Sequence, residues 1–130
     1  MKIAHVALWT NNLTAQQHFW QDFFGGTSNE LYISKNRPGF RSHFIRLHEG
    51  ATIELMALEA LAQGANGTEL TGWAHIAINV GARQDVDAMV KRASEQKILV
   101  SPARITGDGF YEALIRDPDG NLIEIVSDDE

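Results

Sequence analysis

The sequence predicts an α+β fold, in which two repeated βαβββ modules form a curved, half-barrel sheet around a metal cavity. Three observations predict it: a gapless internal repeat, the same order of strand and helix patterns in both halves, and a His and a Glu at matching places in each half. The modules are assigned to residues 1–58 and 72–130, with residues 59–71 as the linker, and together they form one structural domain.

The repeat emerges when the chain is shifted by 70 positions, which matches residues 3–56 to residues 73–126 with 10 identical pairs. Most of the matches fall at apolar positions, at glycines, or at His and Glu. Coincidence between short apolar strands is the alternative explanation. Because separated blocks all fall in one register, a duplicated module is the better interpretation.

The hydrophobic pattern of the first half indicates strands over 2–9, 42–47 and 51–57, the last two joined as a hairpin. Apolar residues at helical spacing over 13–24, followed by Gly25-Gly26, indicate a helix and its end. A short strand is also expected near residues 31–33. One helix can cover only one face of such a sheet, so the other face is left for a shared concave space.

The second half repeats this order. It has a strand pattern over 73–80, a helix face formed by Val86, Met89, Val90 and Ala93, and a hairpin pattern over 110–116 and 121–127. The hairpin turns at residues 117–120, whose sequence Asp-Pro-Asp-Gly is a strong turn signal. Any site in the concave space should therefore draw residues from both halves.

Composition limits the classes of function. The 130 residues are 44% hydrophobic and 22% charged, which is typical of a soluble globular protein. The absence of cysteine excludes disulfides, thiolate metal sites and a Cys nucleophile. A formal net charge of −6 argues against a nucleic-acid partner. No apolar stretch is long enough to span a membrane and no signal peptide is recognised, so we expect no membrane partner and a cytoplasmic protein.

Four ionisable residues lie within apolar strand patterns at equal offsets in the two halves, namely His5, Glu54, His75 and Glu124. Taken singly, a strand His is usually a packed or surface residue and a strand Glu usually faces solvent. Strand alternation, however, places them on the face opposite their apolar neighbours, which is the face turned to the concave space. The four together therefore predict a shared site.

Two imidazoles and two carboxylates that meet in a cavity need a cation between them, because otherwise they repel or must be protonated. We therefore predict that these four residues bind one divalent metal ion. Nitrogen and oxygen ligands without sulfur suit Zn or Ni first, with Co, Mn and Fe(II) as further candidates. A structural zinc site would usually use Cys, so this site is predicted to be open and catalytic.

The chain resembles the vicinal oxygen chelate superfamily, and within it glyoxalase I (lactoylglutathione lyase). The similar segments are the start KIAHVAL, then ATIELM, GWAHIAINV and DPDGNLIEIV. The His-Glu-His-Glu ligand set at this spacing is the glyoxalase I pattern. The resemblance implies paired βαβββ modules, a homodimer, and a metal site that is built either within one chain or across two subunits.

The activity implied by the resemblance is that of a metal-dependent lyase or isomerase. A substrate with vicinal oxygens would chelate the metal, and Glu54 or Glu124 would act as the catalytic base that shuttles a proton through an enediolate. The implied substrate is the hemithioacetal of methylglyoxal with a thiol. Candidates for the apolar wall of the pocket are Trp9, Met56, Phe110 and Tyr111, each of which could instead be ordinary packing.

The sequence also departs from the glutathione-dependent members, since Trp9 and Leu58 stand where they have Arg and Asn. Glutathione is therefore left open as the thiol. An anion contact could come from the loop residues Arg37, Arg41 and Arg104, which could equally be solvated surface residues. His43 is expected either to face the cavity or to lie at the surface.

Two other classes of function remain open on the same sequence. One is a different metal enzyme of this superfamily: an epimerase, an extradiol dioxygenase, or a thiol transferase that acts on an antibiotic. The other is a non-enzymatic protein that binds a small molecule and confers resistance by sequestering it. The fourth ligand, Glu54, favours the glyoxalase I type over both.

Overall fold

The fold is α+β in each half of the chain. The computed structural model describes residues 1–62, 64, 69 and 71–128, so much of the segment predicted as a linker lies outside the described residues. The chain divides into two compact units, residues 1–64 and 65–130. None of the described helices is long and apolar enough to cross a membrane.

The described residues of the first unit form one open sheet and one helix. The elements are β1 (His5–Trp9), α1 (Leu13–Asp22), β2 (Thr27–Ser28), β3 (Tyr32–Ile33), β4 (Arg41–Arg46) and β5 (Thr52–Ala57). The strands run in the order β1-β5-β4-β2, and β3 pairs with β4 elsewhere along its length. Strand β1 is parallel to β5, and the remaining pairs are antiparallel.

The second unit repeats this plan with a sheet of four described strands rather than five. The elements are β6 (Ile76–Gly81), α2 (Arg83–Glu95), β7 (Leu99–Ile105), β8 (Tyr111–Arg116) and β9 (Leu122–Ser127). The strand order is β6-β9-β8-β7, with β6 parallel to β9 and the other two pairs antiparallel.

The internal repeat is preserved in the strand register. In the first unit the Cα partner of Glu54 is Ala7, and in the second unit the Cα partner of Glu124 is Ala77. These pairs differ by the same 70 positions as the sequence repeat. The predicted α+β fold of two repeated modules is therefore confirmed, and the two hairpins lie at equivalent positions in their sheets.

Each helix covers one face of its own sheet and forms the core there. In the first unit Trp20 is fully buried, and its indole nitrogen donates to Oε1 of Gln16 at 3.2 Å. Every second residue of β5 lies on the covered face, where Ile53, Leu55 and Ala57 are buried. In the second unit the buried apolar residues are Val86, Ala93, Ala113, Ile115, Ile123 and Ile125.

The strand starts differ from the sequence-based prediction. Strand β1 begins at His5 rather than at residue 2, because its partner β5 begins at Thr52, which is paired with His5. Likewise β6 begins at Ile76 rather than at residue 73, so His75 immediately precedes the strand. The sequence also missed the two-residue strand β2, which has too few residues to show a period.

The helix end predicted at the glycine pair is confirmed to within two residues. The last residue of α1 is Asp22, with Phe23 as its C-cap. Gly25 has a φ of +69°, and the amide of Gly26 donates to the carbonyl of Trp20 at 2.9 Å. A Cβ on Gly26 would lie 2.6 Å from Cγ2 of Ile45, so only glycine allows the backbone to come this close to the sheet.

Candidate metal centre

The first His–Glu pair lies on neighbouring parallel strands. His5 is the first residue of β1 and Glu54 is the third residue of β5, and register together with alternation places both on the face opposite the helix. The Nε2 atom of His5 is 3.7 Å from Oε1 of Glu54. The imidazole is 49% exposed and the carboxylate side chain is 17% exposed, so the pair faces outward from the covered core.

The second His–Glu pair reproduces this arrangement. His75 directly precedes β6, Glu124 is the third residue of β9, and Nε2 of the imidazole is 3.3 Å from Oε2 of the carboxylate. Their side chains are 39% and 18% exposed. Each module therefore presents one imidazole nitrogen and one carboxylate oxygen side by side on its uncovered face.

The separations within the pairs bear on what they can bind. Both exceed the usual length of a hydrogen bond between nitrogen and oxygen. Two adjacent ligands of one first-row cation, each about 2.0–2.2 Å from it, lie about 3.0–3.5 Å apart. The second pair, at 3.3 Å, falls within this range, and the first pair, at 3.7 Å, is slightly wider than it. Among residues 1–62, 64, 69 and 71–128, no three His, Cys, Asp or Glu side chains are grouped closely enough to hold a metal.

A depression of about 360 Å³ adjoins the first pair. It includes Phe44, the Cα partner of Glu54, and Thr52, the Cα partner of His5. The ring of Phe44 also meets the imidazole of His5 edge-on, with centroids 5.8 Å apart. The remaining lining residues are Thr27, Ser28, Asn29 and Arg46. A small molecule in this depression would therefore lie next to the His–Glu pair.

The sequence analysis missed a residue beside the second pair. Glu112, on β8, forms a side-chain hydrogen bond with Glu124. This hydrogen bond, with burial and the negative charge of Glu124 as further causes, raises the pKa of Glu112 to about 7. The sequence carried one signal for it: Glu112 lies two residues before Leu114, the Cα partner of Glu124, so both carboxyl groups lie on the same sheet face. The repeat did not reveal Glu112, because the equivalent residue in the first half is Ser42.

The four residues predicted as a pocket wall occupy different positions. Trp9 is 43% exposed and is the Cα partner of the half-buried Met56, on the same sheet face as His5 and Glu54. Phe110 is exposed in the turn before β8. Tyr111, by contrast, lies two residues before the buried Ala113 and so shares its sheet face, and its hydroxyl donates to Asp87 of α2. Tyr111 therefore lies on the helix side of its sheet.

The expectation for His43 was wrong, since it lies neither in a cavity nor at the surface. It is buried, and its Cα partner on β5 is the core residue Leu55. Its Nδ1 lies 3.0 Å from the carbonyl oxygen of Asn29 and 3.3 Å from Oγ of Ser28. These local hydrogen bonds satisfy the ring on the helix side of the sheet, which a strand pattern alone could not show.

The sequence matches the family model of the glyoxalase/bleomycin resistance protein/dioxygenase superfamily over residues 2–125. The chain belongs to this superfamily. The match covers both modules and both His–Glu pairs, and it agrees with the fold expected from the resemblance. No protein of curated function matches the sequence at a significant level.

Solved structures of superfamily proteins share the fold. A glyoxylase/bleomycin resistance protein/dioxygenase domain from Frankia sp. EAN1pec superposes with a TM-score of 0.85 at 15% identity, covering 100% of this chain and 93% of that one. Lactoylglutathione lyase from Agrobacterium tumefaciens gives 0.67 at 24% identity, with 97% and 92% covered. The fosfomycin resistance protein FosX from Listeria monocytogenes gives 0.72 at 19% identity, with 95% and 91% covered.

Proposed function

We propose that this protein is a metal-dependent lyase or isomerase of the glyoxalase I type. In this proposal one divalent cation is held by His5, Glu54, His75 and Glu124, and the substrate is a small molecule with two adjacent oxygens. The observation that carries it is the repetition of the same His Nε2–Glu Oε arrangement, at 3.7 and 3.3 Å, on the uncovered face of each module.

The donor set fits a catalytic ion. Two neutral imidazoles and two carboxylates balance the charge of a divalent cation, and nitrogen and oxygen donors suit Zn or Ni first, then Co, Mn or Fe(II). Four protein ligands would leave one or two positions of a five- or six-coordinate ion for substrate oxygens. When bound, the ion would supply Lewis-acid stabilisation of negative charge on those oxygens.

The residues of the chain account for the proton transfer. Glu54 and Glu124 each present a carboxylate that could take a proton from the carbon next to the chelating oxygens and return it to the adjacent carbon. Both side chains are less than one-fifth exposed, which limits proton exchange with bulk water during the transfer. A hemithioacetal of methylglyoxal with a thiol has the vicinal oxygens and the acidic carbon that this step requires.

Assembly of the site requires both modules. Each module contributes two of the four ligands, so the two pairs come either from one chain or from one module each of two subunits. We propose a homodimer on the resemblance to the superfamily. The metal-to-chain ratio together with the molecular mass in solution tests this part of the proposal.

An epimerase is the second candidate, because the second module offers a further carboxyl group. Glu112 lies within hydrogen-bond reach of Glu124 on the same sheet face. Epimerisation requires a proton to leave one face of a carbon and another to arrive on the opposite face. Glu54 and Glu124, which belong to different modules, could divide these tasks, with Glu112 relaying protons between Glu124 and solvent. Deuterium uptake from solvent into recovered substrate would favour this candidate over an internal proton shuttle.

The test combines metal analysis with an assay. Purified protein is examined by elemental analysis and is then assayed with methylglyoxal and either glutathione or other thiols. We expect a stoichiometric transition metal, with turnover that a chelator abolishes and added metal restores. Full metal retention in both Glu54→Gln and Glu124→Gln would contradict the ligand assignment. Bound metal without turnover of any thiol adduct would reject the glyoxalase activity.

A further inference from the structure

We propose that Arg37, together with Trp9 and Phe40, forms a receptor for the acidic group of an organic anion. This deepens the proposed function by naming a substrate class, a carboxylate-bearing molecule, and it rests on that function only for the reaction itself. The receptor lies in the first module, on the loop between β3 and β4 and at the end of β1.

The guanidinium of Arg37 lies against two aromatic rings. Its Cζ atom is 5.7 Å from the centroid of the Trp9 ring and 5.9 Å from that of Phe40. The two rings meet edge-on at 6.1 Å, and Tyr32 extends the cluster with a contact to Phe40 at 6.4 Å. Rings at this distance attract the cation without using its N–H groups as hydrogen-bond donors.

The loop that presents Arg37 is closed by its own hydrogen bonds. The amide of Arg37 donates to Oγ of Ser34 at 3.0 Å, and the amide of Phe40 donates to the carbonyl of Arg37 at 3.1 Å. The amide of Ser34 donates in turn to the carbonyl of Phe40 at 3.0 Å. Gly39, with a φ of +82°, completes the turn. Because the backbone is fixed, less conformational entropy is lost when a ligand binds.

No carboxylate of the described chain neutralises this guanidinium. Neither His–Glu ion pair involves Arg37, and Arg37 forms no ion pair with another described residue. An arginine held on aromatic rings without an acidic partner presents paired N–H donors that match the two oxygens of a carboxylate. Charge and geometry together thus specify an anion with a planar acidic group as the ligand.

The location of the cluster relates it to the first His–Glu pair. Trp9 lies four residues after His5 on β1, and this even spacing places both side chains on the same sheet face. Four residues of strand correspond to about 13 Å. A substrate that engages both places is therefore extended, with its vicinal oxygens at one end and its carboxylate at the other, and its middle would pass along Ala7.

Tryptophan fluorescence tests this proposal without requiring activity. Trp73→Phe removes the emission of a fully exposed indole, which leaves Trp9 and the fully buried Trp20. The probe is phenylacetate, with the uncharged phenylacetamide as its control. We expect saturable quenching by phenylacetate and not by the amide, and a loss of phenylacetate affinity of about tenfold or more in Arg37→Gln.

Arg41→Gln is the matched control, because Arg41 is an exposed arginine that makes no cation–π contact with a described aromatic ring. It should bind phenylacetate as the Trp73→Phe parent does. Arg37→Lys should bind several-fold more weakly than the parent, since lysine keeps the charge without the planar fork. Equal affinity for the amide, unchanged binding in Arg37→Gln, or an equal loss in Arg41→Gln would each overturn the proposal.

The result is separable from that of the metal proposal. The titrations are run with and without chelator, and also in Glu54→Gln. Phenylacetate binding that survives removal of the metal supports the receptor even if no lyase activity is found. The opposite outcome is turnover of hemithioacetals together with phenylacetate binding that does not depend on Arg37. It would leave the proposed function standing and reject the receptor.

Discussion

Glu112 and Glu124 form a side-chain hydrogen bond between the neighbouring strands β8 and β9. The hydrogen bond is the largest cause of the raised pKa of Glu112, about 7 against an ordinary 4.5. In the unfolded chain this contact is absent, so the folded protein holds the proton more tightly over the pH range between the two values.

Stability of the metal-free protein should therefore fall as the pH rises through this window. A carboxyl whose folded pKa is raised contributes stability that is fully present below about pH 4.5 and is lost as the pH passes about 7. In Glu112→Gln this contribution no longer titrates. We expect the melting temperature of wild type, relative to that of Glu112→Gln, to decline between these pH values in the presence of chelator. Parallel curves would contradict the raised pKa of Glu112.

Removal of one carboxylate should release the whole metal ion rather than half of the bound metal. If both His–Glu pairs hold one ion, Glu54→Gln and Glu124→Gln each lower the metal content toward zero, because the remaining three ligands bind more weakly. Glu49→Gln, in the exposed turn before β5, is the matched control and should keep full occupancy. Elemental analysis after dialysis measures this. Loss of half the metal in each variant would indicate two separate ions.

Phe110 and Tyr111 should respond differently to substitution, although they are neighbours in sequence. Tyr111→Phe removes the hydrogen bond to Asp87 of α2 and should lower the stability only slightly, with no change in metal content or KM. Phe110→Ala, on an exposed ring, should raise KM with little effect on stability if the ring contacts substrate. Denaturant titration and steady-state kinetics distinguish the two. A raised KM in Tyr111→Phe alone would reverse the assignment.

Gly26 should not tolerate even a methyl group. A Cβ there would meet Ile45 at 2.6 Å and the carbonyl of Trp20 at 3.1 Å, and such overpacking costs about 1–3 kcal/mol. Gly107→Ala is the control, because a Cβ at that position would have no neighbour within 4 Å. Urea denaturation should show a loss for Gly26→Ala and little change for Gly107→Ala. Equal stability of the two would mean that the helix end can move away from β4.

Much of this fold could be predicted from the sequence, because period and repeat are local properties. The same spacing of apolar residues, glycines, His and Glu recurs after 70 positions, and it determined two βαβββ modules with equivalent hairpins. Strand alternation also determined that Glu54 lies on the face opposite Ile53 and Leu55, as the burial of those two residues confirms. These predictions required only the direction of each side chain along its own strand.

Only the tertiary structure decided which side chains meet across strands. The contact of Glu112 with Glu124, the burial of His43 beside Asn29, and the placement of Arg37 on Trp9 all join residues from different elements. Their geometry depends on strand register and on the path of loops, and neither is encoded in a local period. The sequence therefore determined the modules and the candidate ligands, whereas packing between elements decided the surroundings in which those ligands act.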